Sequence, residues 1–219
     1  MGILAVCPRV ADNEVMITLG IIGGIASGKS TVAKEFLQLV PAAVTLDADQ
    51  LGHRVLTEPD VIAALRVRWG DAILDANGAV NRPAVAKIVF APGNERQLQF
   101  LEQVSHPRIR RLLEAELQQL RKQQAPLAVI DAALLLETGW SSVCDKLLFV
   151  SVPEAIRRER AHSRGWSDEE FQRREQAQWP IAKKEAAADF TVVNDGDLES
   201  LARQCAEVWS KLQSTTLPK

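Results

Sequence analysis

Between an apolar run at 17–22 and a helical pattern at 29–39 lies the octapeptide Gly23-Gly24-Ile25-Ala26-Ser27-Gly28-Lys29-Ser30, followed by Thr31. This G-x-x-x-x-G-K-[ST] spacing commits the chain to a strand, a tight loop and a helix in that order, because its chemistry works only there. Glycines let the backbone curl until consecutive amides aim at phosphate oxygens, and the amino end of the next helix adds positive dipole. Lys29 can bridge β- and γ-phosphates, and the Ser30 hydroxyl can ligate a magnesium ion. The segment reads as a phosphate-binding loop for a nucleoside triphosphate.

The rest of the chain fits a sheet built around that loop. Short apolar runs at 17–22, 43–46, 127–130, 146–150 and 190–193 read as strands buried on both faces. Helical patterns fall at 29–39, 60–69, 83–90, 95–104, 107–123, 154–163, 168–178 and 198–212. This alternation predicts right-handed crossovers and a parallel, doubly wound sheet. About eighty residues separate the second strand from the third, nearly all helical, so a helical subdomain is expected at about 50–125. Residues 1–15 precede a second methionine, Met16, and read as a disordered extension.

Composition excludes other classes. With 219 residues, 47% of them hydrophobic and 25% charged, the chain can bury a core without staples. A net charge of −2 gives no footprint for nucleic acid. The longest apolar stretch, 16–26, is too short for a bilayer, and 1–15 lacks the pattern of a signal peptide. Cys7, Cys144 and Cys205 are odd in number and far apart, as suits a reducing cytoplasm, and the three histidines lack metal-ligand spacing. No N-K-x-D guanine reader accompanies the loop, and Asp75-Ala76-Asn77-Gly78 reads as a turn. A kinase for a small molecule fits this size.

Such an enzyme needs carboxylates at strand ends and arginines near the transferred phosphate. Leu46-Asp47-Ala48-Asp49 follows the second strand, where one aspartate can face the nucleotide; helix capping is the competing reading for each. The third strand ends in Asp131, the pattern of a metal-binding carboxylate. Arg157, Arg160 and Arg164 share a helical face if one helix carries all three, and Gly165 can serve as a hinge for a lid at about 160–180. Trp69, Trp140 and Trp209 read as packing residues.

Together these motifs resemble the dephospho-CoA kinase family over about 16–212. Besides the loop at 20–31 and the Asp47-Ala48-Asp49 signature, the likeness includes Asn77-Gly78-Ala79-Val80-Asn81-Arg82 with Ile88-Val89-Phe90, and His106-Pro107. It continues through Leu134-Leu135-Leu136-Glu137, Arg160-x-x-x-Arg164, Arg174-x-x-x-Gln178-x-Pro180, Lys184, Ala188-Asp189 and Asn194-Asp195-Gly196. Ala133 replaces the family's proline, and Trp179 replaces a small residue. The resemblance implies a three-layer α/β/α P-loop fold with a five-stranded parallel sheet. It also implies ATP with Mg²⁺, transfer to the ribose 3′-hydroxyl of dephospho-CoA, and a cytoplasmic monomer or weak homo-oligomer. By the same resemblance Asp49 is the base, with Lys29 and Arg160 catalytic and Gly24 to Thr31 plus Arg160 and Arg164 on ATP. Arg82, His106, Leu134, Leu135, Arg174 and Gln178 join Asp49 on the acceptor, while Ser30 and Asp131 hold the metal. A kinase for another nucleotide or nucleoside is the alternative within enzymes, and a nucleotide-sensing binding protein the alternative outside them.

Overall fold

The computed structural model of the protein describes residues 16–91 and 93–216; the extension expected at 1–15 lies outside the described residues. Strand β1 (Ile17–Gly23) is buried at every position. It lies in the middle of a five-stranded sheet of order β2-β3-β1-β4-β5, where β2 is Val44–Asp47, β3 Leu127–Asp131, β4 Lys146–Ser151 and β5 Phe190–Val193. Every pairing is parallel. Side chains alternate across it: Ile17, Leu19 and Ile21 enter one apolar layer with Leu127, Val129, Leu148 and Val150, while Ile22, Ala128, Ile130 and Phe149 enter the opposite one. The first layer is covered by α1 (Lys29–Leu39) and α9 (Leu198–Thr216), through Val32, Phe36, Leu201 and Val208.

The opposite layer holds the helices between β2 and β3. They are α2 (Ala48–Val55), α3 (Pro59–Trp69), α4 (Arg82–Val89) and α5 (Glu95–Lys122). Two expectations change here. First, the helix that either aspartate could cap, given no bounds by the sequence, is α2, and it starts directly at Ala48, so the strand does not continue to Asp49. Second, 95–104 and 107–123 are one helix of 28 residues, with Pro107 inside it rather than at its start. Pro107 has no N–H for the carbonyl one turn back, but the buried stripe Ser105, Ile109, Leu113, Leu117 and Leu120 keeps a spacing of four or three residues through it. The Ser105 hydroxyl donates to the Leu101 carbonyl, and the Arg108 guanidinium to that of Val104. Packing of that stripe outweighs the break.

After β4 come α6 (Glu154–His162), α7 (Asp168–Gln176) and α8 (Ile181–Ala186). Helix α6 stops before Arg164, which lies exposed in the turn ahead of Gly165 (φ 82°), so the three arginines do not share one helix. Trp69 meets Phe100 edge to face, and Trp140 is buried; both pack as expected. Asp75 accepts from the amides of Asn77 and Ala79, so this segment is a turn.

Candidate active site

In the order β2-β3-β1-β4-β5, β1 connects toward β2 and β3 connects the other way, toward β4. The sheet therefore opens a crevice beyond the carboxyl ends of β1 and β3. Both ends carry polar chemistry. Gly23 closes β1, the chain turns through 24–28, and α1 begins at Lys29 with Gly28 as its N-cap. No side chain caps that terminus, so the positive end of α1 faces the loop. Gly28 sits at φ 82°, and a Cβ there would come within 2.3 Å of Asn194 Nδ2. At Gly24 a Cβ would come within 2.7 Å of an Arg157 guanidinium nitrogen. The glycines thus serve close packing of arginine and asparagine behind the loop as well as its curl.

Around the loop the charges converge. The Ser30 hydroxyl donates to Asp131 Oδ2 at 2.6 Å, joining residues 101 apart in the chain. Lys29 Nζ donates to the Gly24 carbonyl at 3.3 Å. Burial pushes the Lys29 ammonium down to about 8, against the attraction of Asp131, Glu137 and Asp49. Asp47 caps α2, its Oδ1 accepting from the amides of Asp49 and Gln50. Asp49, one residue into α2, makes no such bond, and burial, then Asp47 and Asp131, raise its carboxyl above the usual range. The capping reading therefore holds for Asp47 and not for Asp49.

Arg160, on α6, donates to the Ser27 carbonyl at 3.5 Å and to the Asn194 carbonyl at 3.0 Å. Asn194 Nδ2 donates to the same Ser27 carbonyl at 2.9 Å. Arg157, buried, reaches the Ile25 carbonyl at 3.5 Å and pairs with Glu175 on α7 at 2.5 Å. Ile25 and Ala26 pack against Ala161 and Phe171, so α6 and α7 rest on the loop itself. Beneath it the buried Lys184 pairs with Glu137 at 3.0 Å and donates to Gln178 at 2.8 Å and the Gly23 carbonyl at 3.4 Å. Glu137 also accepts from the Trp179 amide at 2.7 Å.

A cavity of about 600 Å³ opens beside Asp49, between α2, α4, α5 and the segment after β3. Asp49, Arg82, His106, Leu134 and Arg174, read separately in the sequence, all line it. Burial lowers the His106 imidazole below its usual value, and its ring meets Trp140 at 5.4 Å. Leu135 does not join them: it is core, 1% exposed, against Gly20. Gln178 bonds Lys184 instead of lining this cavity. Arg157, offered with Arg160 and Arg164 as a lid arginine, is instead buried behind the loop with Glu175, which the sequence did not single out; Asn194, quoted there only within the carboxyl-terminal signature, packs on the loop as well. Asn194 carried a usable signal, since it follows an apolar strand as Asp131 ends one; the inward turn of Arg157 left none.

No group of three or more His, Cys, Asp or Glu able to hold a metal occurs among the described residues. One hydroxyl and one carboxylate oxygen converge at Ser30 and Asp131. That hard-oxygen pair suits Mg²⁺, which keeps waters and substrate phosphates as its other ligands.

A nucleotide loop, an acidic group beside a roofed cavity and arginines over the loop define a P-loop kinase of a small acceptor. The fold agrees: a shikimate kinase from Bacteroides thetaiotaomicron, 12% identical, superposes with a TM-score of 0.51 over 90% of this chain and 99% of its own. The model of the dephospho-CoA kinase family matches residues 17–200, and the chain belongs to that family. A dephospho-CoA kinase from Geobacter sulfurreducens is 37% identical over 198 residues, 90% of this chain and 98% of that protein. The crystal structure of TT1252 from Thermus thermophilus, 36% identical, gives a TM-score of 0.74 over 90% of this chain and 98% of that one. The enzyme phosphorylates dephospho-CoA with ATP as donor, the last step of coenzyme A biosynthesis. No helix among the described residues is long and apolar enough to cross a membrane.

Proposed function

We propose that Asp49 orients the ribose 3′-hydroxyl of dephospho-CoA and accepts its proton as the γ-phosphoryl group transfers. The observation that carries this is the unequal fate of the two aspartates: Asp47 is engaged as a cap, while Asp49 lines the cavity with a raised carboxyl. The loop from Gly24 to Thr31 holds the triphosphate on backbone amides and the α1 terminus. Lys29 neutralises charge on the phosphates, its burial making an anionic partner all the more favourable. Arg160, already against the loop carbonyl of Ser27, turns to the transferring group, and Arg164 joins it when the turn at Gly165 closes. Ser30 and Asp131 would hold Mg²⁺, which would supply charge neutralisation for the phosphates. Arg82, His106, Leu134 and Arg174 receive the nucleoside end of the acceptor; for Leu135 and Gln178 the support is indirect, through packing and through Lys184.

The enzyme works in the cytoplasm as a monomer or weak homo-oligomer and binds no nucleic acid. Support is the near-neutral charge of −2 and the unpaired thiols of Cys144 and Cys205. An ADP-release assay over an acceptor panel tests the reading. Dephospho-CoA is expected to turn over orders of magnitude faster than AMP or adenosine, CoA not at all, with phosphate on the 3′-oxygen. Faster turnover of AMP would mean that the cavity reads only a nucleotide.

A further inference from the structure

The carbonyl of Ser27 is held from outside the loop by two donors. Asn194 Nδ2 donates to it at 2.9 Å, and an Arg160 guanidinium nitrogen at 3.5 Å. A second Arg160 nitrogen donates to the Asn194 carbonyl at 3.0 Å, so the three residues close a ring of hydrogen bonds. The Ser27 hydroxyl takes no part in it, being buried without a hydrogen-bond partner. Asn194 is itself fixed. It follows β5, its amide donates to the Ser151 carbonyl at the end of β4, and only 4% of its surface is exposed.

The peptide plane gives this ring a consequence. In a trans peptide the carbonyl and the N–H point in opposite directions, and the described residues contain no cis bond. Holding the Ser27 carbonyl toward Asn194 therefore turns the Gly28 N–H away from it. No acceptor among the described residues engages that amide, nor the amides of Lys29 and Ser30 that follow. Three successive donors are thus left for an anion at the start of α1. Gly28 supplies the other half of the fit, since a Cβ there would lie 2.3 Å from Asn194 Nδ2. The asparagine amide occupies the place that any side chain at 28 would need.

The two donors on Ser27 are not equivalent. Arg160 makes the longer bond, and as the arginine that turns to the transferring group it leaves the Ser27 carbonyl when it does so. Asn194 then holds that peptide alone, at the moment when the loop must keep its shape.

We propose that Asn194 is a positioning residue for phosphoryl transfer: its side-chain amide holds the Ser27–Gly28 peptide so that the Gly28 N–H faces the phosphates of ATP. The inference rests on the reading that the loop from Gly24 to Thr31 holds the triphosphate. It gives the end of β5 a part in the reaction that is exerted through the loop. Losing the hold misaligns one donor without deleting it, so the loss in kcat should stay below the ~10²-fold that deletion of an oriented donor costs.

The test uses Asn194→Ala and Asn194→Leu in the full chain. Both lack the donor and carry no charge; one leaves space and the other fills it, so what they share is the missing hydrogen bond. Melting temperature, kcat and KM for both substrates are followed, with Lys29→Ala as the reference for the loop. We expect KM for ATP to rise about tenfold in each variant and kcat to fall about threefold to tenfold, while KM for dephospho-CoA stays within about twofold. Asn194→Ala, which only removes atoms, carries the test if Asn194→Leu does not fold. An unchanged KM for ATP in a folded variant, with Lys29→Ala strongly impaired, overturns the role of Asn194 alone. So does a lower kcat with both KM values unchanged, which would mean a smaller fraction of active enzyme, or an equal rise in both KM values, which would mean a general disturbance. If Lys29→Ala keeps near-normal turnover, the reading of the loop fails first and this proposal with it.

Discussion

At the scale of single residues, position two apart in the sequence decides very different surroundings. Asp47 ends β2 and is consumed by the helix it caps; Asp49, just inside α2, is left to the cavity. The sequence alone offered both as candidates, because it could not say whether the strand ran past Asp47. Lys29 was legible from its motif, but its environment was not: burial that pushes it to about 8 comes from residues far along the chain. That shift has a kinetic signature. Lys29 must be charged to meet a triphosphate, so kcat/KM for ATP should fall as pH rises through about 8, where the free enzyme loses that proton. Bound phosphates favour the ammonium, so the alkaline limb of kcat should lie higher. As the proposed base Asp49 acts deprotonated, and its raised carboxyl should put the acid limb above the ordinary carboxylate range. Superimposed alkaline limbs for kcat and kcat/KM would contradict this role for Lys29.

At the scale of elements, local rules located the five strands to within a residue or two, since each is a short apolar run. They failed where packing competes with propensity. Pro107 reads as a helix start, yet α5 continues through it because its apolar stripe stays in register on both sides. The short helix α8 was missed too, and its role is tertiary. It carries Lys184 under the phosphate loop, against Glu137, whose Oε2 is buried without a hydrogen-bond partner. Removing one member of such a pair leaves a buried charge uncompensated and costs about 3–5 kcal/mol, whereas replacing both by apolar groups costs far less. Urea denaturation of Lys184→Met should show a loss of that size, and Lys184→Met with Glu137→Leu should recover much of it. A double variant no more stable than Lys184→Met would mean that the pair is not what holds α8 to the loop.

At the scale of the whole molecule, the sheet order creates the site. Ser30, Asp49, Asp131, Arg160 and Asn194 come from five separate stretches, and only the order β2-β3-β1-β4-β5 brings their strand and helix ends to one edge. The sequence showed that strands and helices alternate, and strand ends named Asp131 correctly as a position in the crevice. It could not show which strand lies beside which, and so could not join Ser30 to Asp131. The same architecture puts Asp49 on the wall of the cavity and within electrostatic reach of Lys29, and its proposed role as the acidic group between the loop and the acceptor is the claim on which the rest depends. Its direct test is kcat with saturating ATP and dephospho-CoA for Asp49→Asn and Asp47→Asn, alongside ATP binding to each. Asparagine keeps the shape of both residues and still caps a helix. Asp49→Asn should lower kcat by ~10²–10⁴-fold with ATP affinity unchanged, and Asp47→Asn by no more than about threefold. Near-normal kcat for Asp49→Asn, or the larger loss for Asp47→Asn, would contradict the account.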